Sequence, residues 1–127
     1  MRRAVLMLLL ALLSGSAAAE WVKVDFDGNA TVYANPASIR KAGNRVKMWN
    51  LIDYMTAQAE MGRPYMSVTT QSEFDCKKGQ TRSLYLSFHS GHMNKGHTVG
   101  SVNESGKWIP VVAGSMSETL WQLACGK

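Results

Sequence analysis

The sequence predicts an α+β domain, in which a mostly antiparallel sheet is followed by one C-terminal helix. Successive segments alternate apolar and polar residues with the period of two that is typical of half-buried strands, and short turns join them into sequential hairpins. The last segment changes to a helical period. The chain has 127 residues, of which 46% are hydrophobic and 18% charged, so its composition suits one globular domain and excludes a disordered chain.

The first predicted strand covers residues 21–26, where Val22, Val24 and Phe26 alternate with polar or amphipathic neighbours. A turn over residues 27–29 leads to a short second strand over residues 30–34. Residues 35–39 are predicted to form a short helical turn, with Asn35 as its N-cap and Pro36 at its first position.

The third strand is predicted over residues 45–55 and carries apolar side chains on both faces. The polar, Gly- and Pro-containing stretch 57–64 is predicted to be a mobile loop. A fourth strand follows and ends at Cys76, whose position in the alternation places its side chain on the core face.

Residues 77–80 are predicted to form a hairpin turn that leads into a fifth strand over residues 81–89. In that strand three apolar side chains point inward and four others point outward: Leu84, Leu86 and Phe88, against Ser83, Tyr85, Ser87 and His89. A weaker strand is predicted over residues 98–102, and residues 108–112 are extended, with Pro110 limiting their pairing.

The C-terminal helix begins at a capping box formed by Ser115 and Glu118, and it ends at Gly126. Its apolar residues, including Leu120 and Ala124, share one face. A helix of about ten residues is unstable alone in water, so this face is expected to dock on the sheet.

Residues 1–19 are predicted to be a cleaved secretory signal peptide. Arg2 and Arg3 precede a ten-residue apolar run, and small residues stand before Glu20. That run is shorter than the roughly 20 residues of a membrane span, although an uncleaved membrane anchor is the alternative. Cleavage leaves one domain over residues 20–127, located in the periplasm or secreted, without a cysteine at the cleavage site for a lipid anchor. The mature domain has 12 basic and 9 acidic residues, and export removes it from nucleic acid.

Export also bears on the two cysteines, Cys76 and Cys125. Two thiols in a small domain usually pair in an oxidising compartment, so we expect a disulfide between them, with two free buried thiols as the alternative. A redox or metal pair is disfavoured because the CxxC spacing is missing.

An ordered set of short segments resembles the surface-adhesin protein E family, a group of small exported domains of Gram-negative bacteria. The segments are Trp21-Val22, Val32-Tyr33, Asn35 to Ile39, Trp49 to Tyr54, Glu73 to Cys76, Trp108 to Val112, and Thr119-Leu120-Trp121 with Ala124-Cys125. The resemblance implies a curved antiparallel sheet of about six strands, with the C-terminal helix tethered across the concave side by the disulfide.

The resemblance also implies a non-catalytic binding domain that recognises a protein or glycan partner through its sheet. The family's namesake is an outer-membrane lipoprotein adhesin that binds vitronectin, laminin and plasminogen. This sequence departs from it because it lacks the acylated cysteine.

The candidate partner-binding residues are basic and aromatic. They comprise Arg45, Lys47 and Trp49 on one face of the third strand, Lys77, Lys78 and Arg82 at the next hairpin, and the terminal Lys127. Such a face suits an acidic protein segment or a sulfated glycan. The alternatives are a solvated outer face or a homodimer interface, with nearby carboxylates neutralising the cations. A terminal lysine is what plasminogen kringles recognise, although Lys127 also suits the polar end of a helix.

The alternative function is that of a periplasmic copper- or zinc-binding protein, or of an envelope accessory protein, which uses the loop containing His89, His92 and His97. The alternative to that role is an exposed polar loop. Neither a known metal motif nor a known catalytic motif occurs in the sequence. We therefore expect no cofactor and no enzymatic activity.

Overall fold

The structure, a computed structural model, describes residues 20–127, so the predicted signal peptide lies outside the described residues. Within residues 20–127, seven strands precede one helix. They are β1 (Val22–Phe26), β2 (Ala30–Ala42), β3 (Arg45–Glu60), β4 (Arg63–Asp75), β5 (Gln80–His89), β6 (Thr98–Val102), β7 (Ile109–Pro110) and α1 (Met116–Cys125).

The strands form one sheet in the order β1-β2-β3-β4-β5-β6, and every pairing is antiparallel. The two-residue β7 pairs with the start of β5, beside the edge that β6 occupies further along. Neighbours in the sheet are therefore neighbours in the sequence, which confirms the predicted α+β class and its sequential hairpins.

The main core lies between α1 and one face of the sheet, which we call the helix face. Leu120 and Ala124 pack there against buried side chains of β2, β3 and β4: Val32, Ala34, Val46, Met48 and Phe74. The helix begins at Ser115, whose hydroxyl accepts the N–H of Glu118, and Gly126 ends it in the left-handed conformation with φ of 72°. The predicted caps and docking face are confirmed.

The C-terminal end of α1 is also tied to the sheet covalently. Cys76, directly after β4, forms a disulfide with Cys125, as predicted. One turn earlier, the indole Nε1 of Trp121 donates a hydrogen bond to the backbone oxygen of Asp75 at 3.1 Å. These two links fix the end of the helix to the end of β4.

The predicted helical turn over residues 35–39 is wrong, because β2 continues to Ala42 through a wide bulge. Asn35 pairs with Trp49 and Arg40 pairs with Lys47, so four residues of β2 lie opposite one residue of β3. The Ser38 hydroxyl accepts the Trp49 N–H at 2.9 Å, which satisfies the donor that the bulge leaves unpaired. Strand pairing thus overrides the local capping signal.

The predicted mobile loop over residues 57–64 is also wrong, since β3 and β4 extend through it as a hairpin. Met61 and Gly62 form the two-residue turn, and their φ values of 51° and 78° are those of a type I′ turn. The Arg63 guanidinium donates to the Val99 oxygen at 2.8 Å and so anchors the hairpin to β6.

The predicted alternation of β5 is wrong at Ser83, because this strand contains a bulge. Tyr85 lies opposite Gln71, but Ser83 lies opposite Ser72, which leaves Leu84 as the extra residue. Ser83 therefore lies on the helix face, not on the outward face where it was predicted together with Tyr85.

Candidate partner-binding face

We call the sheet face opposite α1 the outer face. Cross-strand register assembles its side chains into rows that run over β3, β4 and β5, because directly paired residues point to the same side. The rows are Trp49–Gln71–Tyr85, Lys47–Glu73–Arg82 and Arg45–Asp75–Gln80. The structure therefore brings Arg45, Lys47, Trp49 and Arg82 together on one face, with Lys77 and Lys78 in the adjoining turn.

The two acidic residues of these rows are buried, and one carboxylate oxygen of each accepts two hydrogen bonds. Glu73 is 7% exposed, and its Oε1 accepts from Arg82 Nη2 at 2.7 Å and Nε at 2.9 Å. Asp75 is 6% exposed, and its Oδ1 accepts the backbone N–H groups of Lys78 at 2.8 Å and Lys77 at 3.1 Å. Both acidic side chains are therefore far less accessible to a partner than the exposed cations around them.

The electrostatic environment of Asp75 favours its ionised form. The Lys78 N–H bond lowers the pKa of this carboxyl most. Desolvation, the second-largest effect, raises the pKa, and the Lys77 N–H and the charges of Lys78 and Arg45 lower it further, so the net shift is downward. The turn after β4 thus holds a carboxylate anion under the outer face.

At the end of the outer face next to the turn after β4, the exposed charges are positive. Five cations, which we call the basic patch, are exposed here: Arg40, Arg45, Lys47, Lys77 and Lys78. Arg40 was missed by the sequence analysis, because the helical-turn prediction hid its place directly opposite Lys47. Continued strand alternation through residues 40–42 is the signal that could have found it.

Trp108 contacts two guanidinium groups, that of Arg45 in the basic patch and that of Arg82 beside it. Its ring centroid lies 4.6 Å from the Cζ atom of Arg82 and 5.2 Å from that of Arg45, within the range of cation–π contacts. In the neighbouring row, the Trp49 and Tyr85 rings meet edge to face at 6.0 Å. Trp108 was predicted only as part of an extended segment, since nothing in the local sequence marks its contact with Arg45.

The other end of the outer face is covered by residues 90–97. The Ser67 hydroxyl donates to the Gly91 oxygen at 2.7 Å and accepts the Asn94 N–H at 3.0 Å. Asp53 Oδ1 accepts the Met93 N–H at 3.0 Å. Ser87 and His89 point to the outer face, as predicted, but they are buried under this cover. Burial lowers the pKa of the His89 imidazole.

The three histidines do not form a shared metal site. The imidazole of His89 contacts the Ser87 hydroxyl at 2.9 Å, His92 contacts Asp53 at 3.1 Å, and His97 contacts Ser90 at 3.1 Å. Within residues 20–127, no group of three or more His, Cys, Asp or Glu side chains is arranged to hold a metal ion.

Lys127 follows the end of α1, and its Nζ atom is 5.8 Å from the centre of the Trp121 ring. The disulfide between Cys125 and Cys76 holds this end of the chain beside the residue that precedes Lys77 and Lys78.

A cleft of about 360 Å³ lies on the helix face, between α1, β5 and the segment that leads into β7. Its lining combines apolar and hydroxyl side chains: Phe74, Ile109 and Leu120 with Ser72, Thr81, Ser83 and Ser117. The lining also includes Arg82 and Lys107, and among the described residues it contains no His, Cys, Asp or Glu.

The fold resembles solved structures of one bacterial protein. Haemophilus influenzae protein E matches with a TM-score of 0.64 and 12% identity, over 84% of this chain and 83% of that chain. A second crystal form gives 0.62 and 13%, over 83% and 96%. Protein E from non-typeable Haemophilus influenzae gives 0.57 and 13%, over 85% of each chain. At this identity the likeness establishes the fold alone.

Sequence comparison supplies the family. No curated protein matches the chain. The family model described as surface-adhesin protein E matches residues 21–126, which is nearly the whole described domain. The match agrees with the resemblance carried by the strand and helix segments. The chain therefore belongs to the surface-adhesin protein E family.

Proposed function

We propose that this protein is an exported, non-catalytic binding domain that recognises a protein or glycan partner through the outer face of its sheet. Membership of the adhesin family supports an adhesin-like role. The observation that carries the proposal is the charge arrangement of the outer face, where Glu73 and Asp75 are buried while Arg45 and Lys47 are exposed. An acidic partner would meet cations without meeting the carboxylates.

Export is part of the proposal. A signal peptide over residues 1–19 would be removed before Glu20 and would deliver residues 20–127 to the periplasm or the medium. The Cys76–Cys125 disulfide supports this location, because such bonds persist in oxidising compartments. No helix among the described residues is long and apolar enough to cross a membrane. In this proposal α1 lies on the concave side of a curved sheet.

Vitronectin, laminin and plasminogen are the first partners to test, because the family resemblance implies them. Exchanging the two central cations, Arg45→Glu with Lys47→Glu, is expected to abolish capture of a partner that the wild type binds. The matched control is Lys23→Glu with Lys95→Glu, which changes charge equally at exposed positions on β1 and in the 90–97 segment. Undiminished capture by the Arg45/Lys47 variant would contradict the proposal.

Plasminogen requires a separate variant, because Lys127 offers it a second route. Truncation after Gly126 removes that lysine without touching the basic patch. Reduced plasminogen capture by the truncated protein would assign this partner to the terminus, whereas equal capture would leave the outer face as the site. Sedimentation over a range of concentrations tests whether the wild type forms a homodimer through its exposed sheet edges.

A further inference from the structure

We infer that the basic patch binds a sulfated polysaccharide, an inference that rests on the proposed role of the outer face. The exposed side chains at the end of the outer face next to Lys77 and Lys78 are cationic and are spread over neighbouring strands, and both properties restrict the ligand. The charge requires an anion, and the spread favours a polymer with repeated anionic groups.

The cations are spread over neighbouring strands and do not converge on a pocket. Arg40 and Lys47 are directly paired across β2 and β3, and Arg45 is two residues from Lys47 on the same face. Paired side chains start about 5 Å apart and alternate residues on a strand about 7 Å apart. One isolated carboxylate or sulfate would reach only one or two of these groups, whereas a polysaccharide with repeated sulfates would engage several.

Arg45 is oriented before any ligand arrives. Its guanidinium lies over the Trp108 ring, and within residues 20–127 neither Arg45 nor Lys47 has a carboxylate within salt-bridge distance. Stacking restricts the guanidinium while its N–H groups keep their capacity to donate, and a planar guanidinium suits the paired oxygens of an oxyanion. Ordering the donor in advance lowers the entropic cost of binding.

The surroundings favour a polysaccharide over an acidic polypeptide or a lipid surface. The exposed large apolar side chains of the described chain lie outside the basic patch: Val22, Phe26, Met55, Met61, Val102, Ile109 and Val112. Protein interfaces usually have an apolar centre, and membrane-surface binding usually needs inserted apolar residues. The adjacent row instead offers the half-buried rings of Trp49 and Tyr85, whose apolar surfaces suit the C–H faces of sugar rings.

The test measures binding of the purified, oxidised exported protein to heparin, with chemically desulfated heparin as the paired ligand. We expect wild-type binding that weakens as salt is raised and falls at least tenfold on desulfation. Arg45→Glu with Lys47→Glu should reduce affinity more than tenfold, whereas Lys23→Glu with Lys95→Glu should retain it within about threefold. The milder pair Arg45→Gln with Lys47→Gln replaces the charge-reversed variant if that variant fails to fold by circular dichroism, and should also lose more than tenfold.

Two further probes identify competing ligands. Retention on poly-L-glutamate or on phosphatidylglycerol vesicles that equals or exceeds retention on heparin would overturn the inference in favour of an acidic protein or a lipid. Heparin binding that is absent, or unchanged in the Arg45/Lys47 variants, would also overturn it. If heparin fails while the same variants lose capture of an extracellular protein, the proposed function stands and only the polysaccharide is wrong. If capture also persists in those variants, both fail.

Discussion

Glu73 on β4 and Arg82 on β5 form a two-pronged contact, in which Nη2 and Nε of the arginine lie 2.7 Å and 2.9 Å from the same carboxylate oxygen, Oε1. The pair is directly opposite in the sheet register. The contact pairs one negative and one positive charge of the outer face with each other. It therefore leaves Lys47, the next residue in the same row, without a competing anion from Glu73.

Replacing Glu73 with glutamine should destabilise the fold by about 1–3 kcal/mol, because the partly buried Arg82 guanidinium loses its charged acceptor. Urea unfolding followed by tryptophan fluorescence measures the change. Glu104→Gln, at an exposed position, serves as the control and should alter stability by less than about 0.5 kcal/mol. Equal stabilities of the two variants would show that the Glu73–Arg82 contact contributes nothing to the fold.

Asp75 should make stability depend on pH. Its pKa in the folded protein is lowered below 3.8, chiefly by the Lys78 N–H, so the unfolded chain takes up the proton at a higher pH than the folded protein. The ionised carboxylate therefore stabilises the fold above the ordinary pKa, and this stabilisation is lost as the pH falls through the lowered value.

The stability gap between the wild type and Asp75→Asn should accordingly be largest near neutral pH and shrink below about pH 4. Urea titrations at about pH 7, 4 and 2.5 measure this gap. A gap that stays constant over the whole range would mean that ionisation of Asp75 contributes no stability.

The disulfide should stabilise the fold mainly by restricting the unfolded chain. Cys76 and Cys125 are 49 residues apart, and the chain-entropy model gives up to about 4 kcal/mol for a loop of this length. Replacing both cysteines with alanine should lower the free energy of unfolding by an amount near this bound. Reducing agent should destabilise the wild type similarly and leave the variant unchanged. A variant as stable as the oxidised wild type would refute this account.

The cover over the far end of the outer face should depend on Asp53. Its carboxylate accepts the Met93 N–H and contacts His92, so Asp53→Ala removes both links. We expect faster hydrogen–deuterium exchange in residues 90–97, without a comparable change in α1. Asp27→Ala, in the turn between β1 and β2, is a control for loss of a carboxylate elsewhere. Unchanged exchange in residues 90–97 would show that the remaining contacts hold the segment in place.

Local patterns in the sequence were sufficient to predict the structure where no contact with a distant strand opposed them. Ser115, Glu118 and Gly126 predicted the limits of α1, and the compartment argument predicted its disulfide. Patterns failed where pairing with a distant strand overrode them. The Asn35-Pro36 signal of a helix start gave way to a bulge, because β2 pairs with β3 on both sides of it.

The candidate site was only partly predictable, because some of its residues are positioned by local alternation and others by pairing with distant segments. Arg45, Lys47 and Trp49 follow from alternation along one strand, whereas Arg40 is brought to them only by a bulge whose length the sequence does not reveal. Burial of the Glu73 and Asp75 carboxylates depends on a contact from β5 and on the turn geometry after β4. These tertiary contacts decide the sign of the exposed charge.

The most direct test of the outer face as the binding surface is an NMR titration of the isotope-labelled exported protein with a heparin-derived hexasaccharide. We predict that the largest shifts fall on backbone amides and side chains of residues 40–49 and 77–82, Arg45 and Lys47 among them, and on the Trp108 indole. Largest shifts in α1 and the helix-face cleft instead, with the basic patch unperturbed, would contradict the account.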